Sequence, residues 1–257
     1  MTYEVVARNF SEASENRIHS DEIAQKYGFK GALVPGVAVY GHLTYPLAAA
    51  LGESWLACSV DNLRLIKPAY HGDTLLLALA SEGAHHTVTC HNANGELLAQ
   101  VTSEMPDELP QPHDLATFGT DYKHPERVVI GWDNVIAGQP YAPWQVTVTP
   151  QINAKYTGEV ADTLPLYENG LAHPHFLQSI ANTALTNEYT MPTWMHVGTE
   201  TRHRAAVRVG DELTVRSATL ERWERKGHEF IKAYVSVWRG DELTTDMLHT
   251  AIYKVAG

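Results

Sequence analysis

The stretch Ser14-Glu15-Asn16-Arg17-Ile18-His19, followed by Gly28-Phe29 and then Leu33-Val34-Pro35-Gly36, decides how this chain is read. It sets an amide side chain and an imidazole on a short irregular approach to a long apolar run, residues 36–51, that reads as a helix. That helix opens on a glycine, whose bare backbone N–H sits where a helix carries unpaired amides and a partial positive charge. His19 supplies the one side chain whose ordinary titration lies near neutral pH. The stretch therefore reads as an acid/base site beside an oxyanion hole.

The same stretch resembles the signature of the MaoC-like acyl-thioester hydratases and dehydratases, the R-specific enoyl-CoA hydratase branch of the hotdog superfamily. That signature runs Asp-x-Asn-Pro-[Ile/Leu]-His, a spacer ending near Gly-Phe, then [Ile/Val]-Val-His-Gly at the start of a long buried helix. Asn16, Ile18, His19, Gly28, Phe29, Val34 and Gly36 stand where the pattern wants them. Ser14 stands in place of the aspartate, Arg17 in place of the proline, and Pro35 in place of the histidine before the glycine. The resemblance implies an α+β fold, in which an antiparallel sheet wraps a long central helix. It also implies a cofactor-free hydro-lyase acting on a 2-enoyl/3-hydroxyacyl thioester. His19 is then the general acid/base, Asn16 the orienting residue, and Gly36 the oxyanion donor, with Pro35, Val34 and Tyr40 along the substrate. Glu15, one residue from the aspartate position, or Ser14 itself, would replace the missing carboxylate. Adjacent side chains on an extended loop point apart, so Glu15 serves only if the loop slips by one residue.

Shifted against itself by 138 residues, the chain lays Gly72-Asp73 over Gly210-Asp211, Leu75 over Leu213, Arg64 over Arg202 and Leu33 over Leu171. One offset serves both the helix start and a strand turn, which marks a duplicated unit. In the first unit, alternating patterns predict strands at residues 3–9, 59–66, 74–81, 86–91 and 97–104, a short helix at 21–27 and a long one at 36–51. In the second they predict strands at 145–149, 197–204, 212–223, 229–239 and 244–255 and a helix at 174–187. Residues 106–140, with Pro106, Pro110, Pro112, Pro125 and Pro140, read as a linker. The expectation is a double hotdog, two antiparallel sheets each wrapping a helix, with residues 1–105 carrying the site and 141–257 a degenerate copy. At the shifted positions of Ser14, Asn16 and His19 stand Ile152, Ala154 and Thr157, so the copy has neither amide nor imidazole. Trp194, Met195 and Phe176 would then line a tunnel for the acyl tail.

The 257 residues carry a formal charge of −11, 44% hydrophobic and 19% charged side chains, the composition of a globular protein. Such an acidic balance argues against a nucleic-acid partner, which is bound by clustered Lys and Arg. An anionic coenzyme A thioester needs a local basic patch, for which Arg64, Lys67 and Arg202 are candidates, with Arg204 and Arg208 beside them. No apolar run reaches the roughly 18 residues of a membrane span. The start Met-Thr-Tyr-Glu-Val-Val lacks a basic segment followed by an apolar core, so a cytoplasmic protein is expected. Cys58 and Cys90 are too few for a disulfide framework and are read as reduced thiols. Despite 14 histidines there is no His-Glu-x-x-His or Cys-x-x-Cys, and no nucleophile elbow, phosphate loop or dinucleotide fingerprint. No metal or cofactor is implied; the partners expected are a small-molecule acyl thioester and a second copy in a homodimer. The same scaffold hosts acyl-CoA thioesterases, and the altered motif also suits a repurposed hotdog that binds or transforms a non-CoA small molecule.

Overall fold

The computed structural model describes residues 2–117 and 126–256; Pro125 of the expected linker lies outside the described residues. The first half runs β1 (Thr2–Val6), α1 (Asp21–Lys26), α2 (Gly36–Leu51), α3 (Glu53–Ala57), β2 (Ser59–Leu65), β3 (Thr74–Glu82), β4 (His85–Asn92) and β5 (Leu97–Glu104). After the crossing segment come β6 (Val128–Val129), β7 (Trp144–Thr147), α4 (Pro150–Glu159), α5 (Pro165–Glu168), α6 (Pro174–Glu188), β8 (Tyr189–Thr190), β9 (Met195–His203), β10 (Glu212–Arg225), β11 (His228–Arg239) and β12 (Glu242–Lys254).

The sheets expected side by side are joined into one. Ten strands follow the order β1-β3-β4-β5-β2-β9-β12-β11-β10-β7, antiparallel throughout, and β2 pairs with β9 at the seam. There Gly198 is required sterically: a Cβ would lie 2.8 Å from the Leu63 carbonyl oxygen.

α2 is apolar around most of its circumference, as a helix wrapped on all sides must be, and eleven of its residues are buried. Leu43 and Leu47 are fully buried among Leu75, Leu77, Val88 and Val101 of the first-half strands. α6 does the same in the second half, with Ile180 and Leu185 against Val215, Ile231 and Val235. The two helices cross where Gly41 leaves room, since a Cβ there would be 2.9 Å from both His175 Cβ and Val160 Cγ1.

The 138-residue offset appears in the backbone. Leu33 bridges Tyr70 as Leu171 bridges Arg208. Asp73 accepts from the Tyr70 amide at 2.9 Å as Asp211 does from Arg208 at 2.9 Å. Gly72 and Gly210 hold the same turn at φ +86° and +101°, where a side chain is strained.

The halves part company before their long helices. Thr149 caps α4 by accepting from the Ile152 amide at 3.1 Å, with Pro150 in the first turn, so Ile152, Ala154 and Thr157 lie on a helix instead of an irregular approach. The first strand also ends earlier than its pattern, at Val6. Asn9 turns away, accepting from Ser11 N at 3.0 Å and donating to the His19 carbonyl at 2.9 Å, which ties the site loop to the strand end. The chain after β5 crosses the sheet face opposite the helices. Its Gln111 carbonyl accepts from Arg202 at 3.5 Å, and its His113 ring lies 4.9 Å from that of Tyr234.

Candidate active site

Asn16 forms the N-cap of a single 3-10 turn, Arg17–His19, and its carboxamide is held across the halves. Its Nδ2 donates to the Trp194 carbonyl at 2.9 Å while its Oδ1 accepts from the Trp194 amide at 3.1 Å. The Arg17 amide donates to the Pro192 carbonyl at 2.8 Å, so the segment entering β9 walls the site. Asn16 Nδ2 also stands 3.3 Å from His19 Nε2.

His19 Nδ1 is 2.7 Å from the Leu33 carbonyl, which can only accept. The proton of the neutral ring therefore sits on Nδ1, and Nε2 carries the lone pair. Burial lowers the His19 pKa from its ordinary value against the opposing pull of the Leu33 carbonyl. At neutral pH the ring is a free base.

Two chambers meet at this ring. One, of ≈ 250 Å³, is walled by apolar side chains such as Leu33, Val39, Leu65 and Ile66, and takes in Gly36 and Val34. The other, of ≈ 400 Å³, lies toward α4 and α6 and is lined by hydroxyl, amide and charged groups. Asn16, His19, Pro35, Asn182 and Trp194 border both. Pro35 is the N-cap of α2; its carbonyl accepts from the Ala38 amide at 2.9 Å, and it offers no side-chain cap to the Gly36 and Val37 amides.

Gly36 is a steric necessity as well as a candidate donor. A Cβ would overlap Leu65 Cδ1 and lie 2.9 Å from His196 Nδ1. Gly36→Ala is expected to displace the helix start, lower the melting temperature, and cut turnover on the order of 10²-fold, a loss read from kcat/KM on the folded variant.

The other sequence candidates divide by place. Ser14 lines the polar chamber and donates to the Asn16 carbonyl at 3.2 Å. Glu15 lines it too, but its carboxylate is taken by Arg127 at 2.8 Å and by the Met191 amide at 3.3 Å. The hydrogen bond from Arg127 is the main cause holding the Glu15 pKa below its usual range. A carboxylate so engaged is a poor proton carrier, and Glu15→Gln is expected to change kcat/KM by less than about fivefold. Among the described residues no Asp or Glu lines the apolar chamber.

Tyr40 lies outside both chambers, fully buried, donating to Asp61 at 2.9 Å; burial, then Asp61, pushes its pKa well up. Lys67 lines the apolar chamber and pairs with Glu96 at 2.6 Å. Arg64 is exposed on β2 and lines neither chamber. Arg202 lines neither chamber: it is buried between Asp246 at 3.1 Å and Glu200 at 2.6 Å, under the crossing segment. Trp194 and Met195 line the apolar chamber, whereas Phe176 belongs to the second-half core.

His196 is a chamber residue that the sequence pattern does not mark. Its Nε2 meets Thr199 Oγ1 at 2.7 Å, which meets His249 Nδ1 at 2.9 Å, and burial pushes the His196 pKa down to about 3. Asn182 and Arg127 were equally unmarked, because their places depend on contacts across the halves. No group of three or more metal-ligating side chains occurs among the described residues. No helix among them is long and apolar enough to cross a membrane.

No family model and no curated protein sequence matches the chain. Solved structures do. A protein of Chloroflexus aurantiacus J-10-fl described as a MaoC domain dehydratase superposes with a TM-score of 0.64 at 14% identity, over 100% of this chain and 95% of that one. A conserved Mycobacterium tuberculosis protein described as having a double hotdog fold gives 0.62 at 18% identity, over 98% and 95%. A Lactobacillus plantarum protein described as an oleoyl thioesterase gives 0.55 at 10% identity, over 100% and 97%. The protein is thus a double hotdog, with the fold that MaoC-like dehydratases share.

Proposed function

We propose that the protein is a hydratase/dehydratase of acyl thioesters, interconverting 2-enoyl and 3-hydroxyacyl forms without a cofactor. The observation that carries this reading is the His19 ring, fixed through Nδ1 on the Leu33 carbonyl so that Nε2 is turned to the place where the two chambers meet, with Gly36 at the start of α2 on the wall of one of them. In hydration, Nε2 takes a proton from water as the water oxygen bonds to the β-carbon. The alkene electrons move through the α-carbon onto the thioester oxygen, where the Gly36 amide stabilises the developing charge. The imidazolium then returns the proton to the α-carbon as the enolate collapses. One base serves both transfers, which suits an apolar chamber with no carboxylate among its described lining residues.

A thioesterase is the second reading, favoured by the shared fold of the Lactobacillus plantarum protein. There the same Nε2 would direct water at the carbonyl carbon and the thiolate would leave. Incubation with 2-enoyl-CoA thioesters of several chain lengths, read side by side for conjugated absorbance and for free thiol, separates the two. Loss of absorbance without thiol supports hydration; thiol release at unchanged alkene supports hydrolysis.

A further inference from the structure

We propose that Asn182, on the long helix of the second half, is a further catalytic residue: its carboxamide holds the water that His19 activates and, in the reverse direction, the 3-hydroxyl that leaves. This rests on the acyl-thioester reading and adds to it a residue for the reacting oxygen. A water that gives one proton to His19 Nε2 still turns about that contact. Its lone pair is aimed at carbon only when its second proton is held as well. The second partner must therefore accept a hydrogen bond where the two chambers meet.

Besides His19, the polar side chains that border both chambers are those of Asn16, Asn182 and Trp194. Asn16 is spent, its Oδ1 on the Trp194 amide at 3.1 Å and its Nδ2 on the Trp194 carbonyl at 2.9 Å. Trp194 Nε1 is buried without a partner among the described residues, but an indole only donates. The Asn182 carboxamide makes no hydrogen bond among the described residues, and its Oδ1 is buried. A carboxamide both accepts and donates, so it can take the second proton of a water and give one to a departing hydroxyl. The charged groups of the polar chamber do not border the apolar one, and they have partners of their own. Glu15 pairs with Arg127 at 2.8 Å, and Glu159 lies 3.8 Å from both Lys155 and His175.

The side chain is also there at a cost to the fold. Asn182 sits mid-helix in α6 beside the buried Ala181 and Ala184, where asparagine is a poor helix former and an unmet carbonyl oxygen is unfavourable. At the 138-residue offset stands Thr44 of α2, which lines neither chamber. Thr44 is fully buried and satisfied, donating to the Gly41 carbonyl at 2.8 Å. Of the two matched positions, the one at the chamber junction carries the side chain left without a partner.

Asn182→Ala is expected to lower kcat for enoyl-thioester hydration on the order of 10²-fold with KM within about threefold, since an enoyl thioester has no oxygen on its β-carbon for Asn182 to hold. In dehydration the fixed equilibrium constant imposes the same fall in kcat/KM, there expressed partly as a raised KM. The urea midpoint is expected to hold or rise, because alanine favours the helix and removes the unmet oxygen. An unchanged kcat overturns the assignment. So does a loss of kcat that comes with a lower midpoint, the mark of a merely structural side chain. Calorimetry with two thioethers that cannot react, S-hexyl-CoA and S-(3-hydroxyhexyl)-CoA, separates the inference from the reaction. The wild type is expected to bind the hydroxylated one at least about fivefold tighter, and Asn182→Ala to bind both alike. Equal binding by the wild type, or a preference that survives in the variant, overturns the assignment and leaves the acyl-thioester reading in place. If neither thioether binds, that reading fails and the assignment falls with it.

Discussion

Replacing His19 with alanine is expected to lower kcat/KM for enoyl-thioester hydration by roughly 10²- to 10⁴-fold, the usual worth of a positioned acid/base group. The size follows from the absence of a substitute. Glu15 is engaged by Arg127 and Met191, Ser14 bonds the Asn16 backbone, and the apolar chamber has no carboxylate among its described residues. His19→Gln, which keeps a donor for the Leu33 carbonyl and loses the basic nitrogen, should fall as far as His19→Ala. Recovery of activity in His19→Gln would assign the ring a positioning role instead. Burial holds the ring neutral, so its basic form is fully present at pH 7 and is lost only as pH falls through a value below 6.5. Steady-state kinetics of the two variants beside the wild type, with circular dichroism to check folding, make the comparison.

Mild acid is expected to destabilise the protein. Burial depresses His42 to about 4, His175 and His196 to about 3, and His249 well below its ordinary 6.5. Each is neutral when folded and takes a proton near pH 6.5 when the chain unfolds. Their stabilisation is therefore complete above that pH and is lost as pH falls toward the depressed values. Four such groups at roughly 1.4 kcal/mol per pH unit each cost about 5 kcal/mol between pH 7 and 5.5. That is comparable with the roughly 5–15 kcal/mol by which domains are stable. Glu159 and Glu188, whose pKa values burial raises, act the other way and offset part of the loss at the acid end. Urea unfolding at pH 7.0 and 5.5 reads the difference. A markedly lower midpoint at 5.5 is the expected outcome, and equal midpoints would show that these histidines take up protons in the folded protein.

These histidines also show where sequence reading stops. α2 was legible to its ends because residues 36–51 form one apolar run between a helix-opening Pro35-Gly36 and Gly52, a local signal. The duplicated turns at Gly72 and Gly210 were legible because a Gly-Asp pair at positive φ repeats at one offset. His19, Asn16 and Gly36 were legible as a group through their spacing, and the fold brings them to one chamber wall. What holds Asn16 was not, since its partner Trp194 lies 178 residues away. Arg202 looked like a basic-patch residue because charge is visible in a sequence and Asp246 opposite it on β12 is not. The α4 helix was missed although Thr149-Pro150 is a proper start signal, because the repeat suggested an irregular approach there. His196 gave no signal: a histidine at a strand entry becomes a site residue only when α2 of the other half brings Gly36 against it.

The most direct measurement approaches equilibrium from both sides, starting once from a 2-enoyl-CoA and once from the matching 3-hydroxyacyl-CoA, with free thiol followed in the same samples. The account predicts that both runs converge on one ratio of alkene to alcohol, with no thiol released, and that His19→Ala moves neither. Thiol released from both substrates, or two starting materials that stay unchanged at every chain length, would contradict it.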